Sequence, residues 1–430
     1  MASRASLVRT LVYNSRTFNR WDAEPERREV ASVIDEMFSL AGARDVWDWE
    51  LALHYVDQTL KAEQKNTAVD FTDADGQRVI DGLIPFLAAR ALDYWVVVPL
   101  RDSYNRSSIR GNGFSIMSGE REKKVKKLAT LAGVPLREMM DRARHTERSR
   151  SDGFFERPLL VLPLRHHQDW VKMNANRLAL WAISCLRAVH SAGNEPKRKG
   201  SLPLGEPFCP GSAEHILLHA KDQSAWGHSP LRFDITAPRN LEWLALKRYR
   251  TSYESLLEEF VYLKRGSSPL HNRFLRSLRF LAKAEDAYRR REQYEGLGQA
   301  LMYLMIALES LLLRDQREIR IKLSTCLSAL PTSRCYQRKV VAKATDLAYR
   351  WRSDFVHDGN EVFPTYDEDW NDGPELSAFK TLKHVTARLL VDGPKTLARV
   401  RAEASTARKS EEDIWFAELK EIWEKRIGLQ

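Results

Sequence analysis

From Arg239 to the C-terminus the chain repeats one pattern: apolar residues three and four apart, with no sustained alternation. That spacing gathers apolar side chains into a stripe along a helix, and such stripes are buried against one another. It predicts helices near 240–264, 270–292, 295–315, 317–330, 336–357 and 375–403, packed as a bundle. A polar linker from Ala404 to Ser410 leads to a last helix. On it Trp415, Leu419, Ile422 and Trp423 share one side, which docks on a neighbouring surface or on a second copy of the chain.

The first half has a different texture. Residues 22–100 read mainly as helix, with Val33, Met37 and Leu40 on one side and Leu83, Phe86, Leu87 and Ala91 on another. The β-branched and aromatic run from Tyr94 to Leu100 reads as a strand, and Gly113 to Met117 as its hairpin-like return. Ser118, with acid behind it, is placed to cap the next helix. A polar loop is expected over Arg142 to Ser151, a strand over Arg157 to Leu164, and a long helix from about Asp169 to His190 that stops at Gly193. A Pro- and Gly-punctuated loop, 194–212, precedes two short strands, HILLHA and PLRFDI. The fold class expected is mainly α. An N-terminal α+β domain with a small sheet (1–240, sensor or regulatory) precedes an all-α bundle (241–405) and a C-terminal docking helix (406–430).

Composition bounds the partners. The 430 residues carry 68 Lys and Arg against 58 Asp and Glu, a net charge of +10. That balance favours approach to a polyanion without requiring one. Cys185, Cys209, Cys326 and Cys335 form no C-x-x-C pair and read as reduced thiols. The longest apolar run, Ala300 to Leu313, is too short to span a bilayer and contains Glu309. The Arg- and Ser-rich N-terminus lacks the apolar core of a signal peptide. The expected location is the cytoplasm, with no membrane partner.

One stretch carries chemistry: Leu347-Ala-Tyr-Arg-Trp-Arg-Ser-Asp-Phe-Val-His-Asp-Gly. It ends a helix whose apolar side is Val340, Val341, Ala344, Leu347, Ala348, Trp351 and Phe355, with Gly359 as its stop. Arg352 and His357 lie five residues apart, with Ser353 and Asp354 between them. A five-residue step turns about 140° around a straight helix, so the two side chains diverge unless the last turn loosens or a second chain completes the pocket. The types suit RNA cleavage by the substrate's own 2′-hydroxyl. Imidazole titrates near working pH and can take or give a proton. Guanidinium stays charged and grips two phosphate oxygens. No metal or other cofactor is needed. The spacing by itself is weak evidence, and Arg352 in a surface ion pair with His357 at a helix C-terminus is the plainer reading. Upstream, however, Glu309 interrupts the stripe of Leu301, Leu304, Met305, Leu308, Leu311 and Leu312. A carboxylate there needs a partner, and an Arg on a packed neighbouring helix would supply it.

With these residues in view, the segment from about 270 to 405 resembles the HEPN domain in its Apea-like branch. The resemblance rests on RFLRSLRFLAKAED, IALESLL (Ile306 to Leu312), REIRIKLSTCLSAL and YRWRSDFVHDG (Tyr349 to Gly359). The family's motif is an Arg, a polar residue, three to five others and a His, matched by Arg352, Ser353 and His357; its acid on the preceding long helix matches Glu309. The family often has Gly directly after the His, whereas here Asp358 intervenes before Gly359. A carboxylate there can repel phosphate. The resemblance implies a helical domain that dimerises so that two motifs form one RNA-cutting cleft. Its members often serve in prokaryotic antiviral defence, toxin–antitoxin or abortive-infection systems. RNA and a second copy are thus the expected partners, with a phage-derived or other trigger acting at the N-terminal half. The alternative is a catalytically silent HEPN scaffold whose N-terminal domain binds a protein or nucleotide.

Outside the motif, Lys123, Lys124, Lys126 and Lys127, with Arg142, Arg144, Arg148 and Arg150, form a basic stretch. It could guide RNA through phosphate contacts, or be an ordinary solvated helix face. Arg165-His166-His167 and the pair His215 and His219 lack the further ligands a metal requires, so no metal site is expected.

Overall fold

A computed structural model describes residues 92–149, 153–166, 168–193, 215–220, 227–230, 236–262, 268–289, 296–314, 318–330, 336–358 and 373–427, and a few single positions nearer the N-terminus. Most of the helices expected over 22–91, the loop at 194–212, Cys209, Cys335 and Gly359 lie outside the described residues.

Among the described residues six strands form one antiparallel sheet: β1 (Leu92–Pro99), β2 (Ile109–Gly111), β3 (Phe114–Met117), β4 (Leu159–His166), β5 (His215–Ala220) and β6 (Gly227–Pro230). They lie side by side in the order β2-β3-β4-β1-β5-β6. Val96 faces Leu162 and Val97 faces Val161 across the central β1–β4 pair. Successive side chains of a strand point to opposite faces, and both faces here are covered. Val96, Val98, Leu160 and Leu162 join one core, while Val97, Leu159 and Val161 join another. That is why β1 and β4 read as continuous apolar runs rather than alternating ones.

The smaller core is closed by α1 (Arg121–Ala132) and α2 (Leu136–Ser149), through Val125, Leu128, Met139 and Ala143. Two expectations fail here. The polar run after Arg142 is not a loop: α2 continues to Ser149, because Ala143 inserts into the core while Arg142 pairs with Glu138 and Arg121 with Glu147 (2.7 Å). Ser118 is not the cap of α1 either. Glu120 holds that position, and the Ser118 N–H donates to Ser108 Oγ.

The larger core begins on the other face of the sheet with α3 (Gln168–Gly193) and runs without interruption into the C-terminal helices. These are α4 (Lys247–Phe260), α5 (Pro269–Arg289), α6 (Gly296–Leu312), α7 (Ile319–Ala329), α8 (Arg338–Asp358), α9 (Pro374–Val391), α10 (Gly393–Ala407) and α11 (Glu411–Ile427). α3 packs on α4, α5 and α9, so the division expected at residue 240 crosses one continuous core. The helix expected over 375–403 is two helices. Gly393-Pro394 opens the second, since a proline has no N–H to continue the ladder and tolerates only the first turn. The linker shrinks accordingly: α10 reaches Ala407, Arg408 adopts a left-handed φ of 53°, and the Ser410 hydroxyl accepts the Asp413 N–H to start α11.

α11 docks as its stripe suggests, with Trp415, Phe416 and Leu419 buried. Trp415 Nε1 donates to the carbonyl of Leu311 (2.8 Å), and Arg273 Nη1 to those of Ser310 (3.2 Å) and Leu313 (3.1 Å). These bonds satisfy carbonyls at the end of α6 that have no partner within the helix. Among the described residues no helix is long and apolar enough to cross a membrane.

Candidate functional site

α8 buries Val341, Ala344, Thr345 and Ala348 on one side, and Arg352 follows one turn on. This face packs on α6, where Gly298 lets the Phe355 ring come close; a Cβ on that glycine would lie 2.8 Å from Phe355 Cδ2. One turn before the end of α6, Glu309 faces Arg352. Arg352 Nη2 lies 3.5 Å from Glu309 Oε2, and the side chains are 24% and 20% exposed. The acid in the apolar stripe thus meets an Arg from a packed neighbour, and that Arg belongs to the motif.

The pair is loosely made. A contact of 3.5 Å is at the outer limit of a hydrogen bond, and Glu309 Oε1 and Arg352 Nε are buried without a hydrogen-bond partner. Burial pushes the Glu309 carboxyl above its ordinary value, against the opposing pull of Arg352 and Arg276. Arg352 also lies 5.8 Å from the centre of the Tyr349 ring. Its guanidinium is therefore held by Glu309 through one nitrogen only.

His357 is exposed in the last turn of α8. The helix stays regular to Asp358, so the last turn does not loosen before that residue. Arg352 and His357 consequently point about 140° apart, one toward the α6 side and the other away from the core. Ser353 and Asp354 between them are half-buried. The structure brings Arg352 to Glu309 but does not bring His357 to either.

The lysines of α1 do not share one surface. Lys124 is buried, donates to the carbonyl of Arg157 (2.7 Å), and is pushed down to about 8 by burial. Lys123 pairs with Glu120 (3.2 Å), Lys127 donates to Ser108 Oγ (3.0 Å), and Lys126 is exposed. Lys124 is therefore not placed to touch a phosphate, which leaves three of the four lysines of that candidate patch. His166 is buried on β4, and no group of three His, Cys, Asp or Glu among the described residues could hold a metal.

A deeper polar cluster was not anticipated from the sequence. Arg187 of α3 is fully buried and donates to Glu285 Oε2 (2.7 Å), Asp286 Oδ1 (2.8 Å) and the carbonyl of Ala282 (2.9 Å), all on α5. Ser191 donates to Glu285, and Thr236 to Asp286 (3.2 Å). His190 is buried next to them with neither ring nitrogen bonded. The signal was the one that marked Glu309: a charge inside an apolar run, here ISCLRAVHSAG. This cluster locks α3 to α5 and does not touch the Arg352 motif. No family model, curated protein or solved structure matches the chain.

Proposed function

We propose that the chain is a metal-independent endoribonuclease of the HEPN type, an effector in prokaryotic antiviral defence or abortive infection, active as a homodimer. The observation that carries this reading is the contact between Glu309 on α6 and Arg352 on α8, with His357 on the exposed last turn of the same helix. A restrained cation and a free imidazole on one rod are the parts that a composite cleft needs from each copy. In a two-fold pair the motifs face each other, and each chain supplies half of the cleft. One imidazole takes the proton of the 2′-hydroxyl, its twin protonates the leaving 5′-oxygen, and the Arg352 guanidiniums hold the negative phosphate between them. Glu309 positions Arg352, and Ser353 and Asp354 line the approach. The N-terminal half holds this activity in check until a trigger binds.

The test is cleavage of RNA in EDTA by the purified chain, with 2′,3′-cyclic phosphate ends as the product. His357→Ala should lower the rate about 10²- to 10⁴-fold, as loss of acid–base catalysis does. Arg352→Ala should cost roughly 10²- to 10³-fold, as loss of charge stabilisation does. Cleavage by His357→Ala at the parent rate overturns the reading. The divergence of Arg352 and His357 along α8 favours a second reading, a catalytically silent scaffold. Expression in cells separates the two: the nuclease slows growth and Arg352→Ala relieves it, whereas the scaffold does neither.

A further inference from the structure

Next to the motif, α7 and α8 enclose a groove of about 640 Å³, lined among others by Arg320, Ile321, Ser324 and Thr325 from one helix and Asp346 and Tyr349 from the other. We propose that this groove is a nucleobase subsite: it holds one unstacked base of the RNA beside the cleaved linkage and sets the sequence at which the chain cuts. The inference rests on the nuclease reading above and adds to it a specificity determinant.

The placement follows from helix geometry. Asp346, Tyr349, Ser353 and His357 fall at i, i+3, i+7 and i+11, which puts them along one face of α8. Tyr349 and His357 are eight residues apart, about 12 Å along the axis. The groove therefore opens onto the track that leads to the imidazole. Its wall at that end is the Tyr349 ring, with the Arg352 guanidinium 5.8 Å from the ring centre. A base stacked on Tyr349 would share that ring with Arg352.

The lining has the chemistry that single-stranded RNA uses. Bases splayed from a strand stack on aromatic and guanidinium planes and are read at their edges by hydrogen bonds. Tyr349 supplies the plane, and Ile321, 54% exposed, an apolar contact. The Ser324 hydroxyl reaches its own-chain acceptor, the Ala342 carbonyl, only at 3.5 Å, so it is free to turn toward a ligand. Arg320 and Asp346 form a 3.1 Å ion pair, with both side chains more than 40% exposed. An exposed pair of this kind is weakly held, so a donor fork and an acceptor can separate to meet a base edge.

The experiment uses the full chain and a randomised RNA pool, with the cut ends sequenced. The wild type should show a base bias at one position flanking the cut. Tyr349→Ala should flatten that bias and slow cutting roughly 10- to 100-fold, the loss expected for one stacked base, while Tyr349→Phe keeps both. Asp346→Asn, at the exposed mouth, should change which base is favoured, and it serves if Tyr349→Ala fails to fold. A bias unchanged by Tyr349→Ala, or by Asp346→Asn where that variant stands in, overturns the subsite. If the wild type cuts nothing, the nuclease reading fails, and filter binding of a randomised 2′-O-methyl RNA pool judges the groove by itself. Base enrichment that Tyr349→Ala or Asp346→Asn abolishes supports it; absence of enrichment overturns it.

Discussion

Arg187, Lys124 and Glu309 each place a charge where water is scarce, and the chain deals with each differently. Arg187 meets two carboxylates and a carbonyl. Lys124 meets a single carbonyl, and Glu309 a single Arg at arm's length. Beside Arg187, His190 stays neutral: burial pushes it down from 6.5 to about 4, with Lys383 and Arg187 acting the same way and Glu285 against them. Below pH 6.5 the unfolded chain takes a proton that the folded chain refuses until about pH 4. Stability from this residue is therefore intact above pH 6.5 and falls as the pH drops, by about 3 kcal/mol in all. Urea unfolding at pH 7 and pH 4 should show the wild type losing about that much more than His190→Leu; equal losses would contradict it. Glu309 was legible in the sequence because an acid amid leucines has few explanations. Lys124 was not, since a lysine can bury its stem and still reach a polar atom, and nothing in its neighbours marks which way it turns.

At the scale of elements, α6 and α8 meet where a glycine faces a ring. Gly298→Ala would place a methyl 2.8 Å from Phe355 Cδ2 and 3.4 Å from Cγ, the fixed end of the ring. The clash should cost about 1–3 kcal/mol, offset by at most about 1 kcal/mol of helix propensity. A lower melting temperature for Gly298→Ala, recovered in the double variant with Phe355→Leu, is the expected result; a second substitution that brings no recovery would place the strain elsewhere. The helices were readable because an apolar stripe at helical spacing is hard to imitate, and α8 emerged within a residue or two of its expected bounds. The errors fell where the stripe is thin or the backbone decides. α2 shows few apolar residues beyond Met139 and Ala143 and owes its last turns to ion pairs. The break before α10 turns on a Gly-Pro step inside an otherwise unbroken pattern.

For the whole molecule, the sheet and the bundle share one core, and α3 and α4 both touch the two. Sequence texture changes near Arg239, but the texture of a chain records local periodicity and not which stripes end up facing one another. A chain of residues 240–430 would lack α3, losing the Arg187 cation that binds Glu285 and Asp286 and exposing the apolar face that α3 covers. It should unfold without a cooperative transition in circular dichroism, while the full chain retains one; a sharp transition in the fragment would show that the bundle stands without α3. The opposite end of the chain has a role that its position conceals. The carbonyl of Leu311, two residues past Glu309, is held by an indole from residue 415. Anything that pries off those final seventeen helical residues, whether a protease, a fusion or a binding protein, would remove the indole that holds this carbonyl. α11 thereby helps to hold the end of the helix that carries Glu309, the partner of Arg352.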